Sequence, residues 1–405
     1  MAEAREGLGA VLAARDPAAF GEDGSWLALV QALREEGAQV EVWAADIRPA
    51  LARLLERAGS RIERLDWPGD GPFSQVFRVR RLAARLQAAR VTLFHLFGCS
   101  GGATLLAAAR RAGSRTVLAP DRLSPPSPRH RRHLTALGRL FALADALEVP
   151  SEAARDRLSA LFPECAARIR IVPPGLDIAT RAPERVGGLR IAALIERFQL
   201  DSGRRHVLVC GPFSREGPPL WALRAMATCQ RGDFDLLLCS GNATDRAFLV
   251  ELQALLRATG LEARVRFLPL DEDRAATFAL ADLVLHLPPP DVVDPLPFIE
   301  AQAAGVPVVT EARRGFEEFL LPGVTGWLVP RGDREALAAV FATALSLDPA
   351  ARDRIAARCR QFAREAFSLA RSLRARLQLY RSLVAALPHG SRTGEPAGFA
   401  GSVGQ

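Results

Sequence analysis

The 405-residue chain contains no lysine: all 53 basic residues are arginine, set against 45 acids for a formal charge of +8. A surplus of that size ordinarily points to nucleic acid, a membrane surface or anionic substrates. Total replacement of lysine by arginine, in a chain rich in alanine and leucine, reads instead as a compositional bias, and no nucleic-acid partner is expected. The six cysteines, Cys99, Cys165, Cys210, Cys229, Cys239 and Cys359, include no C-x-x-C and no histidine at metal-ligand spacing, so neither a zinc site nor a disulfide framework is expected. They are read as small core residues of a reduced protein. No apolar run reaches the roughly 18 residues of a membrane span, and the opening MAEAREGLGA has no signal-like apolar core. A cytoplasmic location is therefore expected. G-x-G-x-x-G and the Walker lysine are also missing, which excludes a Rossmann-type oxidoreductase or epimerase and a P-loop enzyme.

What is present is the balance of a soluble globular chain, 49% hydrophobic and 24% charged. Its length exceeds what one core usually organises, so two domains are expected. Short apolar runs alternate with helix-period segments throughout, the pattern of a parallel α/β architecture. Strands are expected at 40–43, 91–94, 115–118 and 169–172, with helices between them such as 26–36 and 103–112. After Pro173-Pro174-Gly175-Leu176-Asp177 the chain turns polar and Pro/Gly-containing to Gly188, where regular structure is hard to sustain. A second alternation follows, with strands at 206–210, 234–239, 265–268, 283–287, 306–310 and 326–329. The expected organisation is thus an N-terminal Rossmann-like domain at 1–180, a linker and entry at 181–204, a C-terminal Rossmann-like domain at 205–367, a helix at 368–387 packing back on the first domain, and a disordered Gly/Ser/Pro tail at 388–405.

The run Glu300-Ala301-Gln302-Ala303-Ala304-Gly305-Val306-Pro307-Val308-Val309, followed by Gly323-Val324-Thr325-Gly326 through Asp333, resembles family 4 of the retaining glycosyltransferases. Ile169 to Asp177 is similar to that family's last N-terminal strand and turn, and Val149-Pro150-Ser151-Glu152 to the segment before it. The resemblance reaches from about residue 20 to 387. It implies a GT-B fold, two doubly wound parallel-sheet domains facing across a cleft. The activity it implies is transfer of a sugar from a nucleoside-diphosphate sugar to a hydroxyl acceptor (a glycan, lipid or small molecule) with retention at the anomeric carbon. No metal or other cofactor is implied, because arginines and helix N-termini can neutralise the leaving diphosphate.

By the same resemblance Glu300 is the second acid of an E-x7-E motif and grips the donor ribose from the start of a helix. The first acid falls on Val292, with Asp291 and Asp294 beside it as substitutes. Gly211-Pro212-Phe213-Ser214-Arg215-Glu216-Gly217 stands where the family carries G-R-L-x-x-x-K-G, so both diphosphate cations are replaced, and Arg215 is the adjacent substitute. Gly21 remains of a Gly-Gly turn near the diphosphate, and Pro120 replaces a histidine before Asp121. Glu318 matches an acid near the donor, and Phe267 with Leu268 would wall the base pocket. A separate turn, Gly98-Cys99-Ser100-Gly101-Gly102, is read as either an anion cradle or a plain strand-to-helix turn, and His95 as either a cleft residue or a core histidine. The clusters Arg129-His130-Arg131-Arg132-His133 and Arg78, Arg81, Arg85 are solvated faces or, alternatively, peripheral contacts with an anionic acceptor or membrane lipid. Two functions stay open: the transferase, favoured by the retained Glu300 and Gly211, and a binding or scaffold protein of the same fold without turnover.

Overall fold

The computed structural model describes residues 8–17, 23–68, 75–121, 131–211, 213–215, 217–229, 233–240, 246–269, 273–288 and 295–387. Gly21, Pro212, Glu216, Asp291, Val292, Asp294, the Arg129-His130 pair and the tail at 388–405 lie outside them. Among the described residues the strands are β1 (Gly9–Ala14), β2 (Gln39–Ala44), β3 (Arg61–Arg64), β4 (Val91–Phe97), β5 (Arg115–Ala119), β6 (Ala146–Val149) and β7 (Ile169–Ile171), then β8 (Arg205–Cys210), β9 (Phe234–Ser240), β10 (Val265–Pro269), β11 (Leu283–His286), β12 (Val308–Glu311) and β13 (Gly326–Val329). They form a seven-stranded sheet in the order β3-β2-β1-β4-β5-β6-β7 and a six-stranded sheet in the order β10-β9-β8-β11-β12-β13. Pairing is parallel from β3 through β6 and throughout the second sheet.

Two doubly wound parallel α/β sheets were expected and two are present. Parallel strands are covered on both faces, so they read as continuous apolar runs. In the second sheet Leu208, Cys210, Val284 and Val308 belong to one buried cluster, and Val207, Val209, Leu285 and Val309 to the other. That alternation is the two-residue period of a strand. Helices present a matching stripe: in Asp23–Glu35, Trp26, Leu29, Val30 and Leu33 are buried at helical spacing. The stretch to Gly188 expected to be irregular contains a short helix at Pro183–Val186, and a second helix, Gly188–Arg197, follows it. Gly187 turns the chain at φ +82°, and Leu194 then packs with Ala275 and Ala276.

The chain divides into two compact units. One comprises residues 1–120, 135–148 and 376–405; the other comprises 121–134 and 149–375. In the first unit the second half of helix Leu369–Ala385 supplies Arg376, which forms a forked ion pair with Glu148, its Nε 3.1 Å from Oε2. Glu148 is only 7% exposed. Tyr380, on the same helix, lies with its hydroxyl 2.5 Å from His95 Nδ1. His95 is buried, stacks on Phe97 at 3.9 Å and has Nε2 3.8 Å from Glu148, so it is a core histidine. Burial pushes its pKa down to about 3, outweighing the pull of Glu148. Burial would raise the Glu148 carboxyl, but Arg376 and His95 together hold it below its usual value.

Two outcomes follow for this network. In the unfolded chain His95 takes up a proton below its ordinary value of 6.5, whereas in the folded chain it stays neutral to about 3. Acidification across that window therefore favours unfolding, by about 1.4 kcal/mol per pH unit for one proton. Denaturant melts between pH 7 and pH 4 should show this slope, and His95→Gln should flatten it; an unchanged slope would assign the acid sensitivity elsewhere. Glu148→Gln leaves the Arg376 charge buried without its counter-ion and should cost about 3–5 kcal/mol in the same melts.

Candidate functional site

Ligands of open α/β sheets bind outside the carboxyl ends of the strands where the strand order reverses. In the six-stranded sheet the chain winds outward one way from β8 and the other way from β11, so this point lies at Cys210 and His286, which are register partners. His286 is buried, with Nδ1 3.3 Å from the Cys210 carbonyl oxygen and its ring edge-on to Phe298 at 4.9 Å. Gly211 follows at φ +147°, and a Cβ there would come within 2.7 Å of Pro218 Cγ. Only glycine fits this conformation and this approach. It brings helix Pro218–Thr228 to the end of β8, and no side chain caps that helix N-terminus. On the β12 side, Glu311 lies 3.6 Å from both Arg313 and Arg331, and Arg313 stacks over Phe316 at 4.1 Å.

Glu300 belongs to the helix that follows β11, Leu296–Ala304. The resemblance placed it at a helix start; it falls in the second turn, where every residue from Pro297 to Ala304 is buried. Glu300 itself is 1% exposed. Its carboxylate is held by Arg274, whose Nε donates to Oε1 at 2.8 Å while Nη2 donates to Oε2. Arg274 opens helix Arg274–Leu280, and the preceding Asp273 caps that helix by accepting from the Ala276 N–H at 3.1 Å. Asp273 is also gripped by Arg190 at 2.6 and 2.8 Å. Arg181 lies close to both acids, and burial draws its pKa down. Three arginines and two carboxylates thus gather in one place.

Sequence reasoning missed Arg274. The available signal was an arginine directly after a helix-capping aspartate, one position before the buried run Ala275 to Phe278. A charge there must find a partner within the fold.

The remaining candidates have other partners. Arg215 keeps 72% of its side chain exposed and is paired with Glu251, Nε to Oε2 at 3.0 Å. Glu318 accepts from the backbone N–H groups of Glu152 and Ala153, both at 2.7 Å, and so caps helix Glu152–Leu161 together with Ser151. Phe267 and Leu268 do not share a wall. Successive strand residues face opposite sides, so Phe267 meets Phe213 at 5.9 Å in one cluster while Leu268 packs in the other.

In the first unit Trp67 and Pro68 pack against the Gly98–Gly102 turn at Gly101, while Ser100 stays exposed. Trp67 Nε1 donates to the Ser100 carbonyl at 2.8 Å, and a Cβ on Gly101 would lie 2.7 Å from the Pro68 carbonyl oxygen. Arg78 pairs with Asp66 at 3.2 Å and Arg85 with Glu63 at 2.5 Å, while Arg81 stays exposed. Arg131-Arg132-His133 open helix Arg131–Ala142. Among the described residues no helix is long and apolar enough to cross a membrane.

The chain matches the family model Glycosyltransferase Family 4 over residues 25–180 and the model Glycosyl transferases group 1 over residues 204–346. It is 32% identical over 225 residues to a D-inositol 3-phosphate glycosyltransferase of Mycolicibacterium vanbaalenii, covering 53% of this chain and 48% of that protein. To a protein of the same description from Xylanimonas cellulosilytica it is 27% identical over 364 residues, covering 84% of this chain and 86% of the other. It therefore spans about half the length of the first relative and most of the second. A glycosyltransferase from Rickettsia africae superimposes with a TM-score of 0.79 at 15% identity, over 94% of this chain and 99% of that one. HepE of Anabaena, solved in complex with UDP and glucose, gives 0.76 at 19% identity over 92% and 99%. The two parallel sheets are those of a GT-B fold, and the chain belongs to the family 4 glycosyltransferases.

Proposed function

We propose that the protein is a glycosyltransferase that moves a sugar from a nucleoside-diphosphate donor to a hydroxyl acceptor, in the cytoplasm and with retention at the anomeric carbon. The observation that carries this reading is that family matches run along both halves of a chain whose second sheet keeps Gly211 at its switch point. In the reaction, the bond between the anomeric carbon and the diphosphate oxygen breaks while the acceptor oxygen bonds to the same face of that carbon. The acceptor proton passes to the departing diphosphate, so no protein nucleophile is needed. What the protein must supply is positive charge on the leaving group, in place before the bond breaks. One source is the dipole of helix Pro218–Thr228, although Pro218 and Pro219 bring no backbone N–H to its first turn.

Arg215 is the second. Its partner Glu251 is half exposed, and an exposed pair of this kind is worth at most about 1 kcal/mol. The guanidinium can therefore leave Glu251 for a diphosphate at little cost. Peripheral contact with an anionic membrane would fall on helix Gln75–Ala88, where Val76 and Phe77 are 68% and 75% exposed beside Arg80 and Arg81.

Calorimetric titration with UDP, ADP, GDP and their sugar conjugates, followed by a donor-hydrolysis assay, tests the activity. Saturable binding with turnover is expected; binding without turnover would favour a scaffold, and no binding would remove the reading. Arg215→Ala should weaken nucleoside-diphosphate affinity about tenfold, the loss of one charge-assisted hydrogen bond, and an unchanged affinity would clear Arg215 of this role. Phe77→Asp should abolish co-sedimentation with phosphatidylglycerol vesicles and leave the melting temperature unchanged. Equal binding to vesicles of neutral phosphatidylcholine would contradict the charge-assisted contact.

A further inference from the structure

The acid that the family resemblance assigns to the ribose is already engaged. Arg274 meets Glu300 as a fork, one nitrogen to each carboxylate oxygen, and the edge between those two oxygens accommodates one bidentate partner at a time. A guanidinium and the vicinal diol of a ribose are alternatives for that edge. The fork is also held from behind. Arg274 follows the capping Asp273, which Arg190 anchors at 2.6 Å from helix Gly188–Arg197. Because Glu300 is 1% exposed, water cannot replace the guanidinium cheaply, in contrast to the exposed Arg215–Glu251 pair.

We propose that Arg274 gates Glu300: a nucleoside diphosphate gains a bidentate ribose contact with Glu300 only by displacing the Arg274 guanidinium. This rests on the nucleotide-sugar reading above and adds the regulation of that site. In the resting protein the base and diphosphate therefore carry the affinity, and the ribose hydroxyls add little. Whatever moves helix Arg274–Leu280 away from helix Leu296–Ala304 hands the carboxylate to the donor.

The test compares UDP with 2′,3′-dideoxyuridine 5′-diphosphate by calorimetry on the full chain. The unaltered protein should bind the two within about threefold. Arg274→Leu should bind UDP about tenfold tighter than the unaltered protein does and disfavour the dideoxy compound by a similar factor. The double variant Arg274→Leu with Glu300→Gln, which removes both charges of the pair together, should lose that discrimination and keep a cooperative melt. Discrimination of tenfold or more by the unaltered protein would overturn the gate without any variant, even if Arg274→Leu does not fold. So would an Arg274→Leu protein that melts normally yet binds UDP no better, which would make Arg274 a structural or phosphate-binding residue. Failure of UDP, ADP and GDP to bind either protein would overturn the nucleotide-sugar reading and the gate with it.

Discussion

A carboxylate taken out of water must be met by a cation at hydrogen-bond distance, and both units of this protein are arranged around such meetings. Glu148 with Arg376 fixes the second half of the C-terminal helix against β6 within the first unit. Glu300 with Arg274 ties two helices together beside the switch point of the second sheet. In a chain without lysine the cation is always a planar fork, which binds a carboxylate by both oxygens and fixes its orientation. Each pair costs desolvation and gains little net stability over an apolar equivalent. What it supplies is a definite geometry: the buried acid can face only one way.

That rule separates the two arginines of the proposed donor site. Arg215 is held by Glu251 in solvent, an inexpensive pair to break, which is what the diphosphate role proposed for it requires. Arg274 is held by a buried acid and is not released cheaply. On the gate proposed above, its position makes Glu300 a conditional ligand. The second sheet thus combines a fixed element, Gly211 with the helix it brings in, an exposed ion pair, and a buried paired carboxylate.

The fold was legible because its physical cause is local. Runs such as His206 to Cys210 and Phe234 to Cys239 must be buried on both faces, and only a covered parallel strand does this. β1 was less legible, since its Gly-Ala-Val-Leu-Ala-Ala sequence carries no β-branched run to separate it from a helix, and β3 is a four-residue polar edge strand. Side-chain partners were the least legible. Glu300 was identified by its place in a motif, but a motif does not say that an arginine 26 residues earlier will take the carboxylate. Glu318 likewise reads as a donor-site acid until the backbone N–H groups of Glu152 and Ala153 are placed beside it. Phe267 and Leu268 were expected at one pocket wall, whereas the pleat turns them into opposite clusters.

The most direct test of the account is a crystal structure of the protein with UDP bound. The account predicts the diphosphate outside the carboxyl ends of β8 and β11, with the Arg274 fork still closed on Glu300 and the ribose hydroxyls off that carboxylate. A nucleotide bound away from that strand end, or a ribose on Glu300 with the Arg274 fork still closed, would contradict it.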